Sequence, residues 1–504
     1  MGWGVYFESR DFSRPLPAAG LTFRVQRLTW SEEGGPQLGE VQAVGDLPAL
    51  ESLVGWLRCP VTVLDDYGSP AWWGYVHAVQ IFLDGVVFRA TLEGMANRVA
   101  VRWADENPQM EETGQAYQHQ TAWLDDLPSQ RAFGVKEMIF SLGEASQAEA
   151  EAACRTHLMT RRLPQVQALP GERVGRPCAV LDLRGWFDTL RWRFWSEPRG
   201  YAGNIQSGGR EASFGHSLAV QRVAQSFSSG LAGGWELSEV WVKLWKVGAP
   251  SDQVVVSLCA DQNGLPGTVL ASVSLSTGEI ASEPGWVKVF FPEALMLTGG
   301  TMYWVVLARS GGISATQYFG VRREEDARIP SGAFKVFNGT TWVNEVAPGH
   351  LVMGVLGRQE STEQLAAVAG AAGGGQFLRG VRIRQASGVK AHLFRAGKWN
   401  ALEEVCRLLQ MGTAGGERLL ARVNPERVLV VEKRPGPEQP TLRILPGGEV
   451  VHLNGRRLLP GENPAGRWAV LDHLVRMEGK VGAPEVVYLT RAEWRDNGVR
   501  VSWE

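Results

Sequence analysis

A series of short apolar runs between about residues 221 and 357 constrains the fold of this 504-residue chain more than any other feature. Each run alternates or clusters apolar residues over strand length, and turn residues such as Asn263, Gly264 and Pro266 separate the runs. The runs lie at 235–248, 254–258, 269–273, 286–291 and 302–307. Short strands at this spacing predict an all-β sandwich or jelly roll.

The order of three segments in this region resembles the sandwich module often called a choice-of-anchor domain. The segments read KVGAPSDQVVVSLCADQNGLPGTVLASVSLS (246–276), GWVKVFFPEALMLTGGTMYWVVLA (285–308) and NGTTWV (338–343). Such modules occur in bacterial surface proteins and in some phage tail proteins. The resemblance implies a sandwich fold and an outward-facing role, and it implies no particular ligand.

Composition narrows the classes of function. The net charge is −2 and the pI is about 6.5, so general affinity for nucleic acid or for anionic membranes is not expected. A chain that is 44% hydrophobic at this length can hold several cores, roughly three to five domains. The five cysteines are scattered and form no CxxC motif, which is typical of buried thiols in a reducing compartment.

The chain shows no signal for export. Residues 1–10 lack a basic segment followed by an apolar one, so we expect no signal peptide, and no run of about eighteen apolar residues predicts a membrane span. A surface-type sandwich without an export signal favours a phage structural protein, which is assembled in the host cytoplasm and released by lysis.

The first part of the chain predicts a β domain. Residues 21–30 alternate at period two, and Gly34 to Pro36 forms a turn. The motifs TWSEEGG (29–35), WWGYV (72–76) and TLEGMANRVAVRW (91–103) resemble the first barrel of phage tail-tip and baseplate hub proteins.

The next part mixes helix and strand. Ser146 is placed as the N-cap of an Ala- and Glu-rich helix that extends to Leu158, and a strand is predicted at 178–183. Further residues match the hub family's pattern, with Phe133 where that family usually has tyrosine. The matching residues are Ser129, Phe133, Gly134, Glu137, Leu158, Gly185, Trp186, Thr189, Leu190, Trp192 and Arg193.

The last part of the chain again mixes predicted helix and strand. Residues 366–375 are small and predict a short helix end followed by a hinge. Asn400 and Glu403 form a capping-box pattern, and Gly412 is placed to end the helix. Two strands are predicted on either side of 424–426. The segments GGERLLARVNPERVLVV and NPAGRWAVL resemble hub and minor tail proteins, in which a second β domain closes the ring around the tail channel.

The expected fold class is therefore mainly β (α+β), with hub-type β-barrels, a few helices and an inserted jelly-roll-like sandwich. The expected domains are a hub-like barrel, the first part of an α+β hub domain, the inserted sandwich, and the second part of the hub domain with a second barrel. Their ranges are 1–106, 107–214, 215–357 and 358–504.

Motifs for catalysis are not found. The sequence has no HExxH and no GxSxG, and its histidines are isolated. Adjacent carboxylates occur at 65–66, 125–126 and 324–326, but neighbours on a strand point to opposite faces and rarely converge on one bond. We therefore expect no catalytic residues, no cofactor and no metal. Asp261 and Asn263 could ligate Ca²⁺, although turn formation explains them equally well.

Residues for sugar recognition are present in the sandwich. Glycans are bound by flat aromatic faces with amide or carboxylate groups nearby. Trp342, Asn338 and Tyr318 offer these groups and are the candidate ligand-binding residues. The alternative is that both aromatic rings pack within the sandwich.

Together these features predict a structural protein of a phage tail tip or baseplate hub, located in the virion. The hub resemblance implies a homotrimer whose partners are other tail proteins, namely the tail tube or distal tail protein, the tape measure and a central spike or fibre. A host glycan is a further expected partner. The alternatives are a bacterial surface glycan-binding protein and a cell-wall or polysaccharide hydrolase with a binding module.

Overall fold

The computed structural model divides the chain into two compact units. The first comprises Met1–Trp195, Val368–Ser387 and Trp399–Glu504, and the second comprises Ser196–Ala367 and Gly388–Lys398. The structure describes residues 3–65, 68–104, 118–172, 175–194, 210–228, 234–324, 332–344, 349–373, 376–392, 400–434, 440–444, 450–452, 474–477, 486–495 and 498–503.

Strands dominate the described residues, and a few helices connect them. The strands are β1 (Gly4–Phe7), β2 (Leu21–Ser31), β3 (Gly35–Gly45), β4 (Pro60–Leu64), β5 (Pro70–Leu83), β6 (Val86–Thr91), β7 (Arg98–Ala104), β8 (Gln118–Gln120), β9 (Leu124–Asp125), β10 (Glu137–Glu144), β11 (Gln165–Pro170), β12 (Cys178–Gly185), β13 (Arg210–Phe214), β14 (Arg222–Ser228), β15 (Gly234–Val247), β16 (Val254–Gln262), β17 (Leu265–Leu275), β18 (Gly285–Thr298), β19 (Met302–Arg309), β20 (Tyr318–Glu324), β21 (Phe334–Phe337), β22 (Trp342–Asn344), β23 (His350–Leu351), β24 (Met353–Glu360), β25 (Gly380–Ile383), β26 (Lys390–His392), β27 (Leu419–Val423), β28 (Val428–Lys433), β29 (Pro440–Ile444), β30 (Val450–His452), β31 (Leu474–Met477), β32 (Val486–Arg495) and β33 (Gly498–Trp503).

The helices are fewer and short. The α-helices are α1 (Leu47–Ser52), α2 (Leu127–Phe133), α3 (Gln147–Arg161), α4 (Ser361–Gly373) and α5 (Ala401–Leu409). Single 3₁₀ turns occupy Leu53–Trp56, Trp186–Trp192 and Thr277–Glu279. This confirms the mainly-β fold class.

The first unit is built on one large sheet with the strand order β1-β4-β5-β12-β3-β2-β32-β31-β29-β30. Strand β6 pairs with β5 and with β11, and β33 pairs with β32. The predicted turn at 34–36 joins β2 to β3 through Gly34 and Gly35, whose φ angles are +88° and +80°. Trp30 and Trp72 are fully buried, and Trp30 donates its indole N–H to the Ala71 carbonyl at 2.9 Å. Burial of such large side chains anchors this sheet.

Closed barrels were expected in this unit, and the described strands do not form them. Among the residues that the structure describes, the large sheet is an open path with β1 at one end and β30 at the other. Two small sheets, β10-β7-β8 with β9 and β25-β28-β27, accompany it. Strand pairing branches at β5, where β4 and β6 share one edge, so the sheet splits instead of closing.

The helices confirm the capping predictions. Ser146 accepts the Glu149 amide at the start of α3, and Glu149 in turn accepts the Ser146 amide. Asn400 and Glu403 make the same reciprocal pair at the start of α5. Such caps satisfy the first amides of a helix, which is why they were readable from sequence.

The predicted hinge at 366–375 is mostly helix. Residues 366–373 lie inside α4, where Leu365 and Ala369 are fully buried, and residues 374–375 lie outside the described part. Alanine is the strongest helix former, so a run of alanines extended the helix that was expected to end there.

The second unit is a two-sheet β-sandwich. One sheet has the order β13-β20-β15-β24-β26, with β18 on β15 and β23 on β20, and the other has the order β17-β16-β19-β14-β21-β22. The core between them contains Phe214, Trp235 and Phe319 from the first sheet and Phe227 and Leu258 from the second. Aromatic burial from both sheets supplies the stabilisation that a sandwich needs.

All five strands predicted in the sandwich are present, as β15 to β19. The turn between β16 and β17 has Asn263 and Gly264 at φ +57° and +78°, as a tight hairpin requires. The stretch 201–221 is rich in glycine, serine and other polar residues, and part of it forms strand β13. Its Phe214 is fully buried and stacks on Phe319 with centroids 5.8 Å apart, which holds β13 in the sheet.

Among the described helices, none is both long enough and apolar enough to cross a membrane.

Candidate functional site

The sandwich presents five loops at one end, which we call the loop end. The strand registers place these loops together, because each follows or precedes a strand terminus at the same edge of the sheets. The loops are 215–221, 248–253, 276–284, 310–317 and 338–341. Loops on a rigid sandwich commonly carry recognition, so this end is the candidate binding surface.

A buried ion pair ties three of these loops together. Arg309 donates two hydrogen bonds of 2.7 Å to the two oxygens of Asp252, and both side chains are about nine-tenths buried. Arg309 also donates to the carbonyls of Gly215 at 3.0 Å and Gln317 at 2.8 Å. The hydrogen bonds from Arg309 hold the pKa of Asp252 below its usual value, against the effect of burial. The loop end is therefore held rigidly.

Two of the three candidate glycan residues lie in one hairpin, β21–β22. Trp342 is half-buried and its ring lies 5.3 Å from that of Phe337, over which the Arg222 guanidinium sits at 5.0 Å. Asn338 is exposed, and its side-chain oxygen accepts the amides of Thr340 and Thr341 at 3.0 and 2.9 Å. The oxygen of Asn338 therefore shapes the turn, and its amide group is the part that could contact a sugar.

Trp342 also contributes to packing. Its ring packs against a small buried cluster formed by Ala224, Cys259, Trp304 and Val306. The residue remains partly exposed, so part of its surface can meet solvent.

Tyr318 lies on the opposite sheet. It begins β20, is half-buried, and places its ring 5.6 Å from that of His216. The structure therefore brings Asn338 and Trp342 together and leaves Tyr318 at the same end of the sandwich but in the other sheet.

Turn formation accounts for Asp261. One of its oxygens accepts the Trp304 indole N–H at 2.7 Å and the other accepts the Gly264 amide at 3.0 Å. Among the described residues, no group of three or more His, Cys, Asp or Glu side chains is arranged to hold a metal ion.

Among the adjacent carboxylates, Asp125 and Asp126 make hydrogen bonds and an ion pair within the fold. Asp126 caps α2 through the Ser129 amide at 2.9 Å and pairs with Arg162 at 3.1 Å. Asp125 accepts the Gln130 amide group at 2.6 Å. Asp66 and residues 325–326 lie outside the described part.

In the first unit, two of the segments that match the hub pattern meet at Glu137. Glu137 is almost fully buried, and its carboxylate accepts Arg193 Nε at 3.0 Å and the Phe194 amide at 2.6 Å. Burial raises the pKa of Glu137, while Arg193, the Phe194 amide and Arg98 act in the opposite direction. Glu137 and Arg193 belong to two hub-like segments that lie more than fifty residues apart, and this hydrogen bond joins them directly.

Trp186 and Trp192 belong to the same hub-like segment as Arg193, and they form an aromatic cluster with Tyr75 and Phe377. Trp192 lies edge-on to Phe377 at 5.0 Å and to Tyr75 at 5.4 Å, and Trp186 lies 5.4 Å from Tyr75. Gly185 precedes this cluster, and a Cβ there would lie 1.7 Å from the Pro36 carbonyl oxygen. Only glycine permits that approach.

A pocket of about 340 Å³ opens beside this cluster, and sequence reasoning did not find it. Five different segments of the first unit contribute to its walls. It is lined by Gln37, Leu38, His77, Glu93, Gly94, Lys136, Arg184, Gly185, Asp188, Arg191 and Trp192. One signal was available: His77 is a lone imidazole in the apolar run of β5, where a buried polar group requires an explanation.

The charged groups of the pocket are unevenly paired. Asp188 accepts the Tyr75 hydroxyl at 2.7 Å and lies 3.4 Å from Arg191. Burial raises the pKa of Tyr75 well above its usual value, and the nearby Asp188 raises it further. Burial lowers the pKa of Lys136 to about 8, and this side chain donates to the Leu92 carbonyl.

Comparisons with known proteins identify no family. No protein-family model matches the sequence, and no curated protein matches it. Among solved structures, the chain is similar to the cysteine protease and lectin-like domains of a surface-layer-associated protein of Clostridium difficile. The identity is 13%, the match covers 31% of this chain and 35% of that chain, and the TM-score is 0.23. The chain therefore spans about a third of that structure's length.

Two further structures are similar at the same low level. A mosquito-larvicidal toxin of Bacillus thuringiensis has 6% identity, 60% coverage of this chain, 53% coverage of its own and a TM-score of 0.16. A structure of infectious bursal disease virus has 10% identity and a TM-score of 0.17, and the match covers 67% of this chain and 80% of that chain. Scores this low do not establish a common fold, and no function is inferred from them.

Proposed function

We propose that this chain is a structural component of a bacteriophage tail tip or baseplate hub. In this proposal the first unit forms a homotrimeric ring around the tail channel, and the sandwich contacts the host surface or its glycans. Its partners are then the tail tube or distal tail protein, the tape measure and a central spike or fibre. Its location is the virion, after assembly in the host cytoplasm. The hub-like motifs are the origin of this proposal.

One observation carries it. Segments before and after the sandwich build a single body, because Trp73 Nε1 donates to the Val423 carbonyl at 2.9 Å and the Gly34 amide donates to the Ala421 carbonyl at 2.8 Å. All of these residues belong to the first unit, although the sandwich sequence separates them. This supports a hub body whose sequence is interrupted by an inserted module, and it argues against a series of consecutive domains.

The roles of the hub-like residues support a structural protein. Glu137, Arg193 and Trp192 are engaged with one another or with the aromatic cluster, and Thr189 donates to the Trp186 carbonyl at 2.6 Å. These contacts fix the shape of the body, so we propose an assembly role in place of catalysis.

The loop end of the sandwich supports a role in contact with the host. Its hairpin holds the Phe337 and Trp342 rings in contact, with Arg222 over the Phe337 ring, and the Asp252–Arg309 pair holds three neighbouring loops. Aromatic rings that are held by packing bind a sugar ring with a small loss of conformational entropy.

The same hairpin also favours a second candidate, a free-standing glycan-binding protein of a bacterial surface. The two candidates differ in the first unit. A hub requires that unit to associate with copies of itself, and a free-standing binding protein does not.

The solution mass of the full chain tests the proposal. Light scattering at several concentrations should give three copies of the 55.2 kDa chain. A monomer at every concentration would count against a self-assembling ring and favour the second candidate.

A further inference from the structure

The pocket in the first unit has an unexplained charge arrangement. Lys136, Arg184 and Arg191 line it together with only two carboxylates, Asp188 and Glu93. Both oxygens of Asp188 already face the Tyr75 hydroxyl and Arg191. Glu93 is mostly exposed, with its carboxylate 3.6 Å from His77 Nε2. One positive charge therefore remains in excess within the walls.

Arg184 is that excess charge. Its side chain lines the pocket and is half-buried, and within the described part of the chain it makes no hydrogen bond and no ion pair. A guanidinium in a partly buried wall is stabilised when a carboxylate or phosphate faces it, since its fork matches either group with two parallel hydrogen bonds.

His77 is a second, independent sign of a missing partner. The residue is 8% exposed, Nδ1 has no hydrogen-bond partner within the described residues, and Nε2 has only the exposed Glu93 carboxylate, 3.6 Å away and beyond hydrogen-bond distance. Buried imidazole nitrogens are nearly always satisfied, by protein groups or by something bound. Because His77 lines the same pocket as Arg184, one bound group can satisfy both.

The walls around these residues are rigid. His77 lies in the middle of β5 and Arg184 near the end of β12, and these strands pair with each other over most of their length. Lys136 is held by its bond to the Leu92 carbonyl and lies 5.1 Å from the Trp192 ring centroid. The donors therefore stand ready before any ligand arrives, which reduces the free-energy cost of binding.

We propose that this pocket binds the oxyanion group, a carboxylate or a phosphate, of a small polar molecule. Arg184 supplies the bidentate contact, Lys136 supplies a second charge, and His77 donates from its ring. The pocket volume of about 340 Å³ suits a molecule the size of a sugar phosphate or a dicarboxylic acid. This assignment is independent of the proposed hub function.

The charge environment gives the proposal a pH signature. Burial lowers the pKa of His77, Arg184 and Lys136 lower it further, and Asp188 and Glu93 act in the opposite direction. A bound oxyanion of fixed charge favours imidazolium, so binding takes up a proton and strengthens as the pH falls through the lowered pKa of His77. Binding weakens as the pH rises through about 8, where Lys136 loses its charge.

The experiment is calorimetric titration of the full chain with inorganic phosphate and, separately, with succinate, at pH 6 and low salt. We expect one saturable site for at least one probe, and the stronger probe identifies phosphate or carboxylate as the natural group. Arg184→Gln should weaken binding at least about tenfold, since a charge-assisted pair is lost. The affinity of Arg184→Lys should lie between those of the wild type and Arg184→Gln.

Two variants separate binding from folding. Glu93→Gln removes an exposed competing carboxylate and should tighten binding, a gain that a misfolded protein cannot show. Arg155→Gln removes the same charge as Arg184→Gln from an exposed face of α3 and should change nothing. His77→Gln should flatten the rise in affinity that the wild type shows as the pH falls, once the protonation of the probe itself is allowed for. The proposal is overturned if neither probe saturates, or if both Arg184→Gln and Glu93→Gln bind like the wild type.

Discussion

Replacing Asp252 by alanine should destabilise the sandwich strongly and leave the first unit unchanged. The substitution removes two charge-assisted hydrogen bonds of 2.7 Å from Arg309, in a pair whose side chains are 8% and 12% exposed. Removing one partner of a buried ion pair costs about 3–5 kcal/mol, because the other charge stays buried. Arg309 keeps the carbonyls of Gly215 and Gln317 as acceptors, so the lower end, about 3 kcal/mol, is expected.

The native cysteines of the chain can report the unfolding of each unit separately. Cys259 is the one cysteine of the second unit, 3% exposed, and burial raises its pKa to about 11. Cys59 and Cys154 are buried in the first unit. Alkylation in moderate urea, resolved by peptide mass spectrometry, therefore reports the opening of each unit separately.

The expected change at Cys259 is large. At about 1.4 kcal/mol per factor of ten, a loss of 3 kcal/mol raises its alkylation rate by about two orders of magnitude. Glu211→Ala is the matched control, because Glu211 is 60% exposed and its ion pair with Arg322 is worth at most about 1 kcal/mol. A rise of less than tenfold for Asp252→Ala, or an equal rise at Cys154, would refute the reasoning.

The Asp252–Arg309 pair also predicts that the sandwich loses stability at acidic pH. Since the folded pKa of Asp252 is lowered, its contribution is complete above the ordinary aspartate value of about 3.9 and is lost as the pH falls through the lowered value. The urea midpoint of the wild type should therefore drop more steeply below pH 4 than that of Asp252→Ala. Parallel curves would contradict this.

Three more substitutions test other parts of the structure. Glu137→Ala removes a carboxylate that is 2% exposed and should destabilise the first unit by about 3 kcal/mol, seen as faster labelling of Cys154 but not of Cys259. Gly185→Ala should prevent folding of the first unit in a thermal melt, because its Cβ would lie 1.7 Å from a carbonyl oxygen; a normal melting temperature would refute this. Trp342→Ala should abolish binding in a glycan screen of the full chain while Cys259 stays protected, and unchanged glycan binding would remove Trp342 from the site.

The sequence predicted best where the chemistry is local. Asn263 and Gly264 define a tight turn by their own conformational preferences, and Ser146 and Asn400 cap helices through residues three positions away. Strands β15 to β19 and helices α3 and α5 were accordingly foreseen. Strand β13 was missed because its neighbours in sequence are polar, and the contact that fixes it is made by Phe214 with a residue more than a hundred positions away.

The pocket was missed for a related reason. His77, Lys136 and Arg184 are distant in sequence, and only the register between β5 and β12 and the path into β10 bring them together. No spacing rule connects such residues. The barrels were expected from a family resemblance, and closure of a sheet depends on strand pairing that short motifs do not encode.

The glycan residues were chosen by residue type. The structure places Asn338 on the surface, but residue type does not report which sheet a strand joins. Tyr318 was therefore grouped with Trp342 although the two lie on different sheets.

The most direct test of the account is the mass of two proteins by light scattering: the full chain, and a variant in which residues 209–360 are replaced by a flexible linker. The account places ring formation in the first unit and treats the sandwich as an inserted module. It predicts three copies for both proteins, with Cys59 and Cys154 still protected in the variant. A full-length oligomer that becomes a folded monomer without the sandwich, or monomers in both cases, would contradict it.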